Sequence, residues 1–353
     1  MKKKIFHRFY KIKRDKPIDF DRTNYLRLDK NEKVIIFKKN FLNYLKKKIN
    51  TFNISSYPNI EKTYNLLSKK IGISRDSILI TAGSDLAIRY IFEVFKKKKS
   101  RVITIEPTFG MVDVYSKIFK YQNIKIYFNN KLQLNLKKIF RTLKKNISFI
   151  IIANPNSPTG TIIEKNDLLK ILAQSKSLNV PVVIDEAYTE FYGFSYMQYV
   201  KKYNNLIIIR TFSKAFGLAG MRAGFLVANK NIVKIISKLK PMYEINSLAC
   251  LSIEFLLKKQ QIVKNYVKDI IRAKNFFFNK LKSIQVNYID TYANFVHVDL
   301  KNKKRIIEKK LFRKKILVRK GPGIKSYDNY LRISLGSQSH MQRVFKIIKK
   351  NLN

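Results

Sequence analysis

Ile208-Ile-Arg-Thr-Phe-Ser-Lys214-Ala-Phe-Gly-Leu-Ala-Gly-Met-Arg222 runs from an apolar strand pattern into a turn of small residues, where one lysine stands beside serine, threonine and arginine. Hydroxyls and a guanidinium around a lysine suit a Schiff-base amine next to a phosphate cradle. A lysine attacks a carbonyl only when unprotonated, so neighbouring positive charge or a bound aldehyde must lower its proton affinity. Read alone, Lys214 is one lysine among many.

A second segment supplies the complement. Val182-Val-Ile-Asp185-Glu-Ala-Tyr188 carries apolar, β-branched residues into a carboxylate and then a phenol. This reads as a buried parallel strand that ends in functional groups. In open α/β sheets the carboxyl ends of strands form the ligand crevice, so two strands ending in reactive side chains imply one shared site.

From about Leu28 to Gly336 the ordered motifs resemble the fold-type I pyridoxal-phosphate aminotransferases, most closely the histidinol-phosphate aminotransferase group. The resemblance implies pyridoxal 5'-phosphate as cofactor. It also implies an α/β fold, with a large domain built on a mainly parallel seven-stranded sheet between helices and a smaller α+β C-terminal domain. By match, Asp185 pairs with the pyridine nitrogen, Tyr188 bonds the phenolic oxygen and Lys214 takes the cofactor aldehyde. A carboxylate there keeps the ring able to accept electrons released when the substrate Cα loses its proton. A freed lysine can then carry that proton.

Phosphate anchoring is expected from Gly83, Ser84 and Asp85, which follow the strand-like Ile78–Thr81 and open a helical run over 86–95, together with Thr211, Ser213 and Arg222. Free backbone N–H groups at that helix start would hold a dianion, with Asp85 acting as a capping carboxylate. Phe109 matches the aromatic that stacks on the cofactor ring. Tyr57 matches the tyrosine that reaches the neighbouring subunit's cofactor phosphate, which implies a homodimer. In Ala153-Asn154-Pro-Asn156-Ser157-Pro-Thr-Gly160 the match leaves Asn156 as the contact to the phenolic oxygen or, shifted by one position, Ser157.

Asn329-Tyr-Leu-Arg332-Ile-Ser-Leu-Gly336 matches the strand whose arginine grips the substrate carboxylate, a planar anion that a guanidinium fork holds bidentately. Arg319 falls where the histidinol-phosphate group places an arginine on its substrate phosphate; otherwise it is one more surface cation. Leu28-Asp-Lys-Asn31-Glu32 resembles the family's substrate-covering arm and makes Asn31 a substrate-binding candidate. Lys33-Val34 replaces the family's asparagine-proline, so the substrate is where this chain departs from its relatives.

Composition fits this reading. The 353 residues, 46% of them hydrophobic, suffice for two cores. Alternating strand and helix patterns over 78–178 argue for a parallel sheet wrapped by helices. After Pro241 a long helical stretch through about Leu281 precedes strand-like 294–300 and 330–335. The expected organisation is an arm over 1–40, a large cofactor domain over 41–240 and a small domain over 241–353. The net charge of +50, from 73 basic and 23 acidic residues, is the electrostatic footprint of nucleic-acid binding. The lysines are spread through the chain, however, and no zinc spacing or arginine-rich arm accompanies them. That profile matches an AT-rich coding bias, and no specific nucleic-acid partner is expected.

Cys250 is the only cysteine, which excludes intrachain disulfides and suits a reducing compartment. It lies in an apolar run and reads as core. His297 reads as structural, His7 and His340 as surface residues, and none shows metal spacing. The opening Met1–Lys4 run lacks an apolar continuation and no segment approaches membrane-span length, so a cytoplasmic enzyme is expected. The partners implied are a small amine or amino acid, with or without a phosphate, and a 2-oxo acid, exchanged in ping-pong fashion. The rivals are a decarboxylase of the threonine-phosphate type, with the same cofactor motifs, and a non-catalytic basic protein that binds nucleic acid.

Overall fold

Short isoleucine- and valine-rich runs set the centre of the molecule, since β-branched side chains pack well on a pleated, doubly covered surface. The computed structural model describes residues 12 and 20–352; Met1–Lys4 and His7 lie outside them. Its strands are β1 (Leu26–Arg27), β2 (Ile78–Thr81), β3 (Arg101–Glu106), β4 (Gln122–Tyr127), β5 (Phe149–Ala153), β6 (Val182–Asp185) and β7 (Leu206–Thr211), then β8 (Gly224–Ala228), β9 (Tyr288–Ile289), β10 (Phe295–Asp299), β11 (Ile316–Leu317), β12 (Arg319–Lys320) and β13 (Tyr330–Ser334).

The expected seven-stranded sheet is present, in the order β2-β8-β7-β6-β5-β3-β4. The pairs from β7 through β6, β5 and β3 to β4 are parallel, whereas β8 runs antiparallel to both β7 and β2. Side chains alternate between two buried layers, as a period of two requires. Val182, Ile184 and Ile208 enter one layer with the helices Ile60–Ile71, Lys165–Ser177 and Ser247–Lys258. Val183, Ile207 and Ile209 enter the other with the helices Ser84–Val94, Gly110–Ile118 and Lys230–Ile236.

The stretch after Pro241 is two helices rather than one. Ser247–Lys258 ends at Lys259, whose φ of −112° and ψ of 50° leave the helical region, and Gln261–Lys282 begins just beyond. Ala249 to Val263 pack in the large-sheet core and Tyr266 onward in a second core, so the change of core falls inside the longer helix. That second core is built on an antiparallel sheet of order β12-β13-β10-β9. The arm joins it through Leu28, which is fully buried, through β1 pairing with β11, and through Ser334 N–H donating to the Leu28 carbonyl at 2.9 Å. Cys250 is buried in the large-sheet core. His340 is half-buried rather than on the surface, with Nδ1 accepting from Ser337 N–H at 3.3 Å. Among the described residues no helix is long and apolar enough to cross a membrane.

One close approach governs how β2 meets the helix after it. Gly224 opens β8 opposite both Thr81 and Thr211. A side chain on Gly224 would lie 2.6 Å from Ser84 N, 2.8 Å from the Arg210 carbonyl oxygen and 2.8 Å from the Gly83 carbonyl carbon. All three are backbone atoms that cannot swing aside. Gly224→Ala should therefore destabilise the protein by about 2 kcal/mol, the usual scale for forcing a methyl into a filled space. Chemical denaturation of the two proteins would measure it, and equal stability would show that the β8 start can shift freely.

Candidate active site

The pleat sorts the ends of β6 and β7 into two functions. Residues whose side chains continue the inner layer of Val183 and Ile209 are Asp185 and Thr211; those on the opposite face are Glu186 and Arg210. The second pair is an anchor. Arg210 Nη1 contacts Glu186 Oε2 at 3.2 Å and its Nη2 bonds Glu190, while Ser195 Oγ donates to Glu186 Oε2 at 2.6 Å. The Glu186 carboxylate is fully buried, which pushes its pKa up; Arg210 and Ser195 oppose the shift. Neither Glu186 nor Arg210 was expected to matter. The signal was present as charged residues interrupting apolar strand runs, since such groups are rarely buried unless paired.

On the site face, Asp185 accepts from Ala187 N–H at 3.0 Å and is 8% exposed. Burial raises its pKa from 3.8 to about 6, against the opposing Ala187 N–H and Lys214 charge, with Asp85 adding to the rise. Lys214, half-buried, donates from Nζ to the Lys30 carbonyl at 3.0 Å and lies 5.8 Å from the Tyr188 ring centre. The two strand ends thus bring the lysine, the aspartate and the tyrosine together, as the sequence implied.

The phosphate candidates gather around Gly224. Gly83, with φ +86°, precedes the helix Ser84–Val94 without a side-chain cap, so first-turn N–H groups remain available to an anion. Arg222 Nη2 stands 3.0 Å from where a Gly83 side chain would begin. Thr211 and Ser213 are buried across β8, and Ser213 N–H donates to Thr211 Oγ1 at 3.1 Å. Asp85 does not occupy the cap position expected of it. It lies in the first turn, and its Oδ1 accepts from Tyr115 Oη at 3.1 Å.

Asn156 is 2% exposed; its Oδ1 accepts from Thr159 N–H and Oγ1, while its Nδ2 is buried without an acceptor. Tyr188 is buried against Phe295, and its hydroxyl accepts from Asn31 Nδ2 at 2.9 Å. Asn31 also exchanges bonds with Ser334, so both polar ends of its side chain are engaged by protein. Phe109 is 38% exposed at the start of the helix Gly110–Ile118, with a ring face free to stack. Tyr57 lies apart from these groups, 76% exposed and stacked on Tyr243 at 4.2 Å.

Arg332 is 9% exposed on β13, its Nη2 donating to the Asp29 carbonyl at 2.8 Å and its Nε buried without a partner. Arg319 sits opposite it across the β12–β13 ladder and is exposed. Burial lowers the Arg332 pKa, and the Arg319 charge adds to that effect. Lys33, where the chain departs from the family pattern, crosses the Lys214 turn: a side chain on Gly217 would lie 2.2 Å from its Cδ, and its Nζ stands 3.4 Å from the Tyr266 ring centre. His297 is buried with Nε2 at 2.6 Å from the Pro158 carbonyl, a structural tie beneath the asparagine loop.

These residues fit pyridoxal phosphate on their own chemistry. A buried carboxylate at a strand end suits a protonated ring nitrogen. A buried amide donor on Asn156 lacks an acceptor, and an exposed ring face and an uncapped helix start lie at the same sheet edge.

Comparison with known proteins agrees. The sequence pattern of aminotransferase class I and II matches residues 16–348. A histidinol-phosphate aminotransferase of Clostridium novyi (strain NT) is 32% identical over 348 residues, covering 96% of this chain and 95% of the relative. The crystal structure of histidinol-phosphate aminotransferase from Sinorhizobium meliloti in complex with pyridoxal-5'-phosphate superposes with a TM-score of 0.82 at 19% identity, covering 92% of this chain and 91% of that one. L-threonine-O-3-phosphate decarboxylase from Porphyromonas gingivalis superposes at 0.78 with 20% identity, covering 92% and 98%. At such identities both structures speak to the fold alone.

The Asp185 environment has a measurable consequence. A carboxyl whose folded pKa is about 6, against 3.8 in an open chain, binds its proton more tightly when folded. Without cofactor its ionisation should destabilise the folded state progressively as pH rises through that window, and fully above it. Asp185→Asn, lacking the charge, should gain stability relative to the parent as pH rises from 3.8 to about 6. Thermal denaturation of the cofactor-free proteins across that range tests this, and curves that stay parallel would refute it.

Proposed function

Because the chain belongs to the class I and II aminotransferases, enzymes that use pyridoxal phosphate to pass an amino group from a donor to a 2-oxo acid, we propose that its donor is histidinol phosphate. The observation that carries this is the Arg319–Arg332 pair, held directly opposite on neighbouring strands. Residues directly opposite on neighbouring strands present their side chains to the same face, so two guanidinium groups there can converge on one anion. A phosphate monoester carries close to two negative charges at neutral pH and can accept from both guanidinium forks. The identity to the Clostridium novyi relative over nearly the whole chain supports the same donor.

Bound pyridoxal phosphate supplies an electron sink that stabilises charge released at the donor Cα. The roles of the chain's own groups follow from their positions. Asp185, buried at the end of β6, would hold the ring nitrogen protonated. Tyr188 and Asn156 each direct a donor at the phenolic oxygen. The first-turn N–H groups after Gly83 and Ser84, with Thr211, Ser213 and Arg222, hold the phosphate. Phe109 covers a ring face. Lys214, half-buried beside Tyr188, would take the proton from the donor Cα and later return it. The 2-oxo acid, entering after the donor has left as a carbonyl compound, presents its carboxylate to Arg332.

A homodimer completes this reading. Tyr57 at 76% exposure, stacked on Tyr243, joins Phe52 at 70%, Ile54 at 77% and Met242 at 76%, an apolar surface of the kind a partner covers. Sedimentation should give a dimer at micromolar concentration, and a monomer there would remove Tyr57 from any shared site.

The roles are tested by two substitutions. Lys214→Ala should lose turnover by at least about a thousandfold, given a general-base contribution of 10²–10⁴ in addition to the lost covalent step. Arg319→Ala should raise KM for histidinol phosphate by roughly tenfold or more, the scale of one charge-assisted contact, and leave L-glutamate unaffected as donor. Equal losses with both donors, or none with either, would dismiss the phosphate role of Arg319.

A further inference from the structure

Three consecutive residues of the arm each hold a different functional side chain. The Asp29 carbonyl accepts from Arg332 at 2.8 Å, the Lys30 carbonyl from Lys214 at 3.0 Å, and Asn31 donates to Tyr188 at 2.9 Å. Only the last is a side-chain contact, and its environment is the most constrained. Asn31 has φ +57°, a left-handed conformation that asparagine tolerates better than most residues. Its Oδ1 accepts from Ser334 Oγ at 2.8 Å, its N–H donates to the same oxygen at 2.9 Å, and its carbonyl accepts from Asn294 Nδ2 at 3.1 Å. The side chain is 2% exposed and cannot turn without breaking these bonds.

The orientation has a chemical consequence. A phenol has one proton and two lone pairs. With Ser334 Oγ donating to Asn31 Oδ1, the NH2 end of the amide faces Tyr188. Asn31 therefore fills a lone pair of the Tyr188 hydroxyl and forbids its proton from pointing toward the arm. Among the described residues no hydrogen bond takes that proton up.

We propose that Asn31 is a positioning residue: its amide holds the Tyr188 hydroxyl with the proton turned toward the phenolic oxygen of bound cofactor, and couples that hydroxyl to the small-domain strands through Ser334 and Asn294. This rests on the reading of Tyr188 above and departs from the expectation that Asn31 contacts substrate. The Tyr188 proton draws charge from the phenolic oxygen, and less charge there weakens the hold on a proton at the neighbouring Lys214 nitrogen. Whatever misdirects the Tyr188 hydroxyl should raise the pH at which that nitrogen loses its proton.

The test is a pH titration of the visible absorbance of the protein loaded with pyridoxal phosphate. Asn31→Asp keeps the backbone preference and the acceptor for Ser334 but offers Tyr188 an acceptor in place of a donor. Its midpoint should rise by on the order of half to one pH unit. Ser334→Ala, which frees the amide without adding charge, should shift it less in the same direction and serves if the first variant fails to fold. In a Tyr188→Phe background neither substitution should move the midpoint further, the signature of residues acting as one unit. A shift that persists in that background would overturn the proposal, because a general charge effect would then be acting. An unmoved midpoint with a raised donor KM would overturn it in favour of direct substrate contact. Wild-type protein that develops no visible absorbance would overturn the cofactor reading itself, and this inference with it.

Discussion

The ion pair between Glu186 and Arg210 is the interaction on which the rest of the site depends. It joins the residue after Asp185 to the residue before Thr211, on the sheet face opposite the chemistry. Burying three charges, Glu190 included, is expensive and adds little net stability against an apolar alternative. What it provides is register. β6 ends in Asp185 and the turn after it carries Tyr188, while the turn that follows β7 carries Ser213 and Lys214. A slip of either strand by one residue would bury a site carboxylate among the helices on the wrong face and expose its partner. Removing one member would leave an uncompensated buried charge, which costs about 3–5 kcal/mol in comparable cases, so the pair is difficult to lose once present.

Antiparallel β8 does the same for the phosphate end. It lies between β2 and β7, so the sheet holds the Gly83–Ser84 turn and the Thr211–Ser213 turn one strand apart, with Arg222 delivered by the loop that enters β8. The absence of a side chain at Gly224 sets how near the first helical turn can come to the sheet. Backbone N–H groups there cannot be moved by rotamer changes, so the spacing of the strands sets where they stand. Site precision here comes from the sheet rather than from the binding side chains.

Much of this was legible in the sequence because it follows local rules. Val182–Asp185 and Leu206–Thr211 declare themselves as buried strands by β-branched runs, and the small-residue turn after Thr211 marks the lysine. Three things were not legible. The Asn31–Tyr188 and Asn31–Ser334 bonds link residues 157 and 303 positions apart, and no periodicity encodes such pairing. The antiparallel sense of β8 leaves no trace in Gly224–Ala228, whose apolar run would suit either direction. The passage from one core to the other within Gln261–Lys282 is also silent, since a helix amphipathic along its whole length reads the same whichever core it covers.

Arg332, Asn156 and Asp185 are all buried polar residues. Arg332 has a buried Nε without an acceptor, Asn156 a buried Nδ2 without one, and Asp185 a carboxylate whose proton affinity is raised by burial. In a folded chain nearly every buried polar group finds a partner, because leaving one unmade costs about 1–3 kcal/mol. Arg332 lies on the small antiparallel sheet, whereas Asp185 and Asn156 lie at the carboxyl edge of the large one. The arm, which supplies backbone carbonyls to Arg332 and Lys214, links the small antiparallel sheet to the turn after β7 from within the chain.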